Sequence, residues 1–331
     1  MDNSFLIIRL SSLGDIIHAL PAFAVLRKGF PEARLAWVVG EAGREILELV
    51  PGIDEVIVRG EVNWFRRLRR RDRTAIDLQG LLKSAILGRL SGARRRIGFS
   101  RRNLKEPAAS VFYTERLDAF EETGHVIAKN IRLLEKLGLR PGTEDYEFPL
   151  VIPETSRCRA AVALERLGRT PEQKVVLCNV GAAWESKRWP AERWIELIPA
   201  IARKDLFPVL LWGNAPEKAI ALAIADRTGV PAAPFFTIPE VLALIASSGL
   251  LISGDTFALQ AACALDVPVV ALFGPTNPKR NGPFRERDRT AQVPMDCRPC
   301  WKRDCPTTAC MSGISAAEVA KLVGEVLDRN V

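Results

Sequence analysis

The chain contains no apolar run approaching the roughly 20 residues that a bilayer-spanning helix needs. Its first apolar stretch, Phe5 to Leu10, is short, follows Asp2 and is interrupted by Arg9, unlike the uncharged core of a secretion signal. These two absences predict a protein that stays in the cytoplasm. Seven cysteines without an export signal are then expected as thiols or metal ligands, not as a disulfide framework. Histidine is scarce: only His18 and His125 are present, fewer acid-base groups than a sugar epimerase would want. Acidic residues are nearly missing from one segment. Residues 66 to 105 hold 14 Lys or Arg against only Asp72 and Asp77, and the formal net charge of the whole chain is +8. The remainder is therefore net negative. A concentrated basic segment is either a solvated helix face or a site for a polyanion: nucleic acid, an anionic membrane face or a phosphorylated glycolipid. No helix-turn-helix, zinc-finger or RNA-recognition pattern falls in it, so no nucleic-acid partner is expected.

The 331 residues, 48% hydrophobic and 26% charged, suit two globular domains better than one core. Short apolar runs alternate with helical stretches. FLIIRL, RLAWVVG, EVIVRG and TAIDLQG read as strands, while AFAVLRKGF and EAGREILELV read as helices. After the polar, proline-bearing stretch TEDYEFPLVIPETS comes a helix of about four turns that includes ALERL. The rhythm then restarts with the strands KVVLCNVGA, FPVLLWGN, GLLISGD and PVVALFGPT. The expected fold is α/β: two Rossmann-like domains, residues 1–152 and 153–331, facing each other across a cleft. The last amphipathic helix, within ISAAEVAKLVGEVLDRN, is a candidate to pack back on the first domain. Such an architecture hosts transferases, epimerases and phosphorylases alike, so function must come from sites.

Four sites stand out, each following a predicted strand. Ser11, Ser12, Leu13, Gly14 and Asp15 form a turn that lacks the Gly-x-Gly-x-x-Gly dinucleotide pattern and presents two hydroxyls, a glycine and a carboxylate at a helix N-terminus. Asp15 there is either a helix cap or a general base. Gly181 to Pro190 present Lys187 and Arg188, which are suited to a diphosphate, flanked by Trp184 and Trp189 as shields. Gly254, Asp255 and Thr256 precede a helix of small residues and either cap it or hold phosphate and ribose. Glu217, after Gly213 and Asn214, is either a favourable helix-dipole charge or an acceptor for ribose hydroxyls.

Together with their surroundings these positions resemble the bacterial lipopolysaccharide heptosyltransferases, inverting glycosyltransferases of the two-domain GT-B fold. The resemblance runs nearly end to end through RLSSLGDIIHALPA, DLQGLLKSA, KEPAASVFYT, GHVIAKNIRLLEKLG, ESKRWP, SGDT and VVALFGPTNP. KEPAASVFYT is most similar to the members that add the first heptose. The resemblance implies an ADP-heptose donor and a Kdo-lipid A acceptor. It makes the first domain acceptor-binding and the second donor-binding. Asp15 becomes the base. Lys187 and Arg188 meet the diphosphate, Glu217 the ribose, and Asp255 with Thr256 the phosphates or the heptose. Ser12, Gly14, Lys83, Arg101, Arg102 and Lys105 become acceptor-binding, and the arginines of 66–71 would rest on the anionic inner leaflet. No cofactor is implied, and no metal need participate. The runner-up activities are second-heptose or other nucleotide-sugar transfer. A non-catalytic nucleotide-sugar or lipid-binding protein is the alternative from another class.

This sequence departs from the family pattern in two places. Phe257 and Gln260 stand where glycine and histidine are usual after the Asp-Thr pair, and Phe257 is expected to crowd the phosphate loop. Ala182 and Ala183 stand where hydroxyl residues often help bind phosphate. The spacing Cys297-x-x-Cys300-x4-Cys305-x4-Cys310 is compatible with a tetrahedral thiolate site or with four reduced thiols. If a metal binds, it is expected to brace the loop before the last helix. Cys158, Cys178 and Cys263 read as small core residues.

Overall fold

Each half of the chain is built around one parallel sheet. The computed structural model describes residues 4–139 and 146–328. The chain divides into two units, the first ending at Val151 and the second beginning at Ile152. Of the stretch read as a linker, Thr143, Glu144 and Asp145 lie outside the described residues.

The first unit opens with β1 (Ser4–Ile8), α1 (Leu13–Ile17), α2 (Leu20–Gly29), β2 (Arg34–Val39), α3 (Arg44–Leu47) and β3 (Glu55–Val58). It continues with α4 (Trp64–Leu68), β4 (Thr74–Asp77), α5 (Leu82–Leu90), β5 (Arg95–Gly98), β6 (Glu115–Arg116) and α6 (Val126–Arg132). The strand order is β3-β2-β1-β4-β5-β6, all parallel. Helices cover both faces of such a sheet. That is why every residue of β1 is buried and the strand reads as continuous apolar sequence without alternation. The chain runs outward from β1 to β3 and then returns to β4 on the other side of β1. The gap outside the carboxyl ends of β1 and β4 is thus a topological switch point, where ligands of open α/β sheets bind.

The second unit opens with α7 (Glu154–Arg166), β7 (Lys174–Asn179), α8 (Ala191–Ala200), β8 (Leu206–Leu211), α9 (Ala215–Thr228), α10 (Ile238–Ala246) and β9 (Leu250–Gly254). It closes with α11 (Phe257–Ala264), β10 (Val269–Leu272), α12 (Pro278–Asn281), β11 (Arg289–Ala291), α13 (Ala309–Ser312) and α14 (Ala316–Asp328). Its order, β11-β10-β9-β7-β8, places the switch between β7 and β9, with Asn179 opposite Ser253. The apolar face of α14 (Val319, Val323, Val326 and Leu327) is buried within its own unit, against α8, β10 and β11.

Three readings need correction. Cys158, read as a core residue, is exposed on α7. EAGREILELV does not form one helix. It makes a 3-10 turn over Glu41–Gly43 and a single α-turn, and Gly43 lies against Ile16 and Val39, where a Cβ would approach to 2.3 Å and 2.6 Å. The basic segment is also not a continuous solvated face, since Arg95–Gly98 is a strand whose two arginines turn to internal acceptors.

Candidate active site

In the first unit the turn after β1 carries the carboxylate. Asp15 sits in the first turn of α1. Its Oδ2 accepts from the Ser12 N–H at 3.1 Å and from the Ser12 hydroxyl at 2.8 Å, and its Oδ1 meets the Arg9 guanidinium at 2.6 Å. Asp15 therefore caps the Ser12 N–H at the start of α1, and this capping role does not preclude another. Arg9 is the residue that sequence reasoning missed. It is buried, donates through Nη1 to the Leu78 carbonyl at 2.6 Å, and so ties the base of the turn to the end of β4. Burial by itself would raise the Asp15 pKa. The charges of Arg9 and His18 and the Ser12 hydrogen bonds outweigh it and hold the carboxyl at about 2, against an ordinary 3.8.

A cavity of about 530 Å³ opens beside this turn, lined by Leu10, Ser11, Gly40, Arg59, Gly60, Trp64 and Lys83. Gly40 is required there, because a Cβ would come within 2.9 Å of the Leu10 carbonyl oxygen. Lys83 thus belongs to the neighbourhood of the turn. Arg101, Arg102 and Lys105 follow β5 at the same edge of the sheet and are exposed, but they do not line this cavity. Asn103 fixes their loop by donating to the Phe120 carbonyl at 2.7 Å and accepting from Ser100 at 2.6 Å.

Four members of the basic segment are occupied internally. Arg73 is fully buried and pairs with Glu55 at 2.6 Å, and Arg67 pairs with the same carboxylate at 3.2 Å. Arg95 pairs with Glu115, and Arg96 donates to the Phe112 and Ala93 carbonyls at 2.7 Å and 2.6 Å. Ten basic residues between 66 and 105 remain exposed. Asp77 is an internal fixture as well. It accepts from the Tyr113 hydroxyl (2.8 Å), the Ser84 hydroxyl (2.9 Å) and the N–H groups of Gln79 and Gly80, while its burial pushes the carboxyl pKa up.

In the second unit one polar network joins the predicted donor positions. Lys187 donates to the Asp255 carboxylate at 2.8 Å and to its carbonyl at 3.2 Å, and lies 4.3 Å from the centre of the Trp184 ring. Gly254 makes this approach possible, since a Cβ there would stand 2.9 Å from the Lys187 carbonyl oxygen. Thr256 caps α11 and shares hydrogen bonds with Ser253 (2.9 Å) and Asn179 (3.1 Å). Asn179 also donates to Ser253 and to the Gly181 carbonyl. Gly181 in turn lies against Glu217, where a Cβ would come within 2.2 Å of its carboxylate. Glu217 accepts from the Gly213 N–H at 2.8 Å. Asn179, a polar residue ending an otherwise apolar strand, is the hub that the motif search overlooked.

One expectation changes, and two neighbouring side chains acquire structural partners. Trp189 does not shield Lys187; it is buried against Trp194 with ring centres 4.9 Å apart and donates to the Ile314 carbonyl, which anchors the loop. Arg188 donates through Nε to the Ala182 carbonyl at 3.1 Å and thereby shapes the loop. Gln260 is buried, donates to the Asn281 carbonyl at 2.8 Å and stands 3.5 Å from Asp255. The cysteine loop wraps the turn after β10, with Arg298 donating to the Gly274 carbonyl and the Cys300 N–H to that of Pro275. It also braces the lysine loop: Ser186 donates to the Lys302 carbonyl at 2.7 Å, and Arg303 lies 5.2 Å from the Trp184 ring centre. Among the described residues no three His, Cys, Asp or Glu side chains are grouped to hold a metal ion.

Two Rossmann-like sheets, each with polar side chains gathered outside a switch point, make the architecture of the two-domain GT-B fold. The chain belongs to glycosyltransferase family 9 (heptosyltransferase), whose family model matches residues 62–310. It is similar to lipopolysaccharide heptosyltransferase 1 of Pseudomonas aeruginosa, with 29% identity covering 91% of this chain and 86% of that protein. It is also similar to the protein of that name from Escherichia coli K12, with 28% identity covering 88% and 94%. A solved structure of E. coli heptosyltransferase WaaC with ADP shares the fold, with a TM-score of 0.78 and 23% identity over 98% of each chain.

Proposed function

We propose that the protein transfers L-glycero-D-manno-heptose from ADP-heptose to the Kdo residue of Kdo-lipid A, with inversion, at the cytoplasmic face of an anionic membrane. The observation that carries this reading is the Asp15 carboxylate, kept ionised at the switch point of the first sheet beside a cavity that Lys83 and Arg59 make cationic. Relatives named lipopolysaccharide heptosyltransferase 1 are 27% to 29% identical, against 21% to 23% for those named heptosyltransferase 2, which favours the first heptose. No helix among the described residues is long and apolar enough to cross a membrane, consistent with peripheral attachment.

In this mechanism the second unit binds the donor. Lys187 uses two of its three N–H donors on Asp255, which leaves one for a diphosphate oxygen. Glu217 accepts from ribose hydroxyls, and the N-terminus of α11 faces the departing charge. The acceptor oxygen attacks the anomeric carbon as the bond to ADP breaks. A carboxylate of low pKa is a weak base, but it suffices here. The acceptor proton becomes strongly acidic once its oxygen bonds to an oxocarbenium-like carbon, and Asp15 takes it at that stage. Asp15→Asn keeps the shape and removes the proton acceptor. Its rate of ADP release with both substrates is expected to fall by about 10²–10⁴-fold while ADP binding is unchanged. Equal turnover by wild type and variant would remove the mechanism.

A further inference from the structure

The cysteine loop, residues 297–310, is fastened at both ends to the turn after β10. At its start Arg298 donates to the Val293 carbonyl at 2.6 Å and to that of Gly274, and the N–H groups of Cys300 and Trp301 both donate to the Pro275 carbonyl at 3.1 Å. At its end Cys310 is buried against Gly274, where a Cβ would stand 3.1 Å from its Sγ. Between these anchors residues 301–304 are exposed. This tip is stitched to the lysine loop. Ser186 is buried and donates through its hydroxyl to the Lys302 carbonyl at 2.7 Å and through its N–H to the Arg303 carbonyl at 3.4 Å. Arg303 is thereby held beside the residue that precedes Lys187.

Lys187 and Arg303 share one aromatic ring. The Lys187 Nζ lies 4.3 Å and the Arg303 guanidinium carbon 5.2 Å from the centre of Trp184. Arg303 is exposed, and among the described residues no carboxylate, those of Glu185 and Asp304 included, pairs with it. A ring face orients a planar guanidinium and leaves its edge N–H groups for an anion, which they can meet in pairs. Without this residue the lysine loop is short of positive charge. Lys187 and Asp255 neutralise each other at 2.8 Å, Ala182 and Ala183 bring no side-chain donors, and Arg188 spends its Nε on the Ala182 carbonyl. A diphosphate ester is multiply charged at neutral pH, and docking it against a neutral ion pair leaves its charge uncompensated.

We propose that Arg303 is the second cation of the donor site, binding the diphosphate of the nucleotide sugar beside Lys187, and that the cysteine loop is the arm that carries it there. The assignment rests on the reading of the second unit as donor-binding. As the bond from the anomeric carbon to the diphosphate oxygen breaks, its electron pair stays on that oxygen. The diphosphate gains one negative charge, and the guanidinium meets that charge with N–H groups already oriented by the Trp184 ring. The role also gives the cysteine stretch a use in this chain: its anchors at Gly274 and Pro275 fix the distance between the turn after β10 and the lysine loop.

The test is calorimetric titration of the full chain with ADP, AMP and UDP. Arg303→Gln is expected to weaken ADP binding about tenfold, the loss of one charge-assisted contact, while AMP binding changes by less than about twofold. Its melting temperature should stay that of wild type, because the guanidinium is exposed. Arg303→Met keeps the packing against Trp184 and lacks the charge, so it should lose as much as Arg303→Gln, whereas Arg303→Lys should keep most of the affinity. ADP binding equal to wild type in the glutamine variant would overturn the proposal. So would wild-type binding by Arg303→Met, which would make the residue a prop for the tryptophan, or an equal loss of AMP and ADP binding, which would mean a disturbed loop. The UDP arm separates this proposal from the reading beneath it. A wild type that takes UDP in place of ADP, and loses it in Arg303→Gln, defeats the ADP-heptose donor and leaves the second cation standing. A wild type that binds neither diphosphate more tightly than AMP contradicts the second cation directly.

Discussion

In the proposed mechanism, Asp15 and Arg9 form the pair on which the chemistry turns. The guanidinium is fixed on both sides, by Leu78 and by the carboxylate, so it positions the base as well as neutralising it. Because the folded pKa lies at about 2, below the ordinary 3.8, Asp15 contributes stability that is fully present above 3.8 and disappears as pH falls through about 2. The same sign predicts that Asp15 gives no acidic limb in the pH profile of kcat/KM between pH 5 and 8, a range where it stays ionised. Arg9→Met removes the principal opposing charge and leaves burial to raise the carboxyl pKa. An acidic limb is then expected to move upward by about one unit or more, read from kcat/KM against pH. A profile unchanged in the variant would show that Arg9 has no part in setting the base. Arg9 itself was visible in the sequence only as an interruption of an apolar strand; nothing in a linear pattern says that it reaches Asp15 six positions on.

At the scale of elements, the loops after β1, β7, β8 and β9 were legible because each follows a buried strand with glycine, small polar residues and a helix start. What the pattern left hidden is how the loops touch. Gly181 is the sharpest case. It occupies the place where the Glu217 carboxylate crosses the end of β7, so Gly181→Ala is expected to push Glu217 off the Gly213 N–H. The cost should be about 1–3 kcal/mol of stability by denaturant melting, with weaker ADP binding by calorimetry. A variant that binds ADP as wild type does would place the ribose elsewhere. The strands β5, β6 and β11 escaped sequence reading for a different reason. They are two to four residues long and rich in arginine, and their pairing comes from tertiary contacts such as Arg95 with Glu115. Trp189 shows the same limit: it looked like a participant at the site and proved to be a support.

Across the whole molecule, the positive charge of one segment is divided between two uses. Arg67, Arg73, Arg95 and Arg96 hold the first unit together, while the exposed remainder is available to an anionic partner. Net charge read from sequence overstates such a patch, because the acids that neutralise it, Glu55 and Glu115, lie outside the segment that was counted. The fold class and the division into two α/β halves followed from the strand rhythm, since parallel sheets buried on both faces write themselves as short apolar runs. The identity of the sugar and its acceptor did not follow from rhythm; it rests on site residues and on kinship. The most direct test is to incubate the purified chain with ADP-heptose and Kdo-lipid A and weigh the glycolipid by mass spectrometry. A gain of one heptosyl unit with wild type, and none with Asp15→Ala, is the predicted result; an unchanged acceptor, or equal product from the alanine variant, would contradict the account.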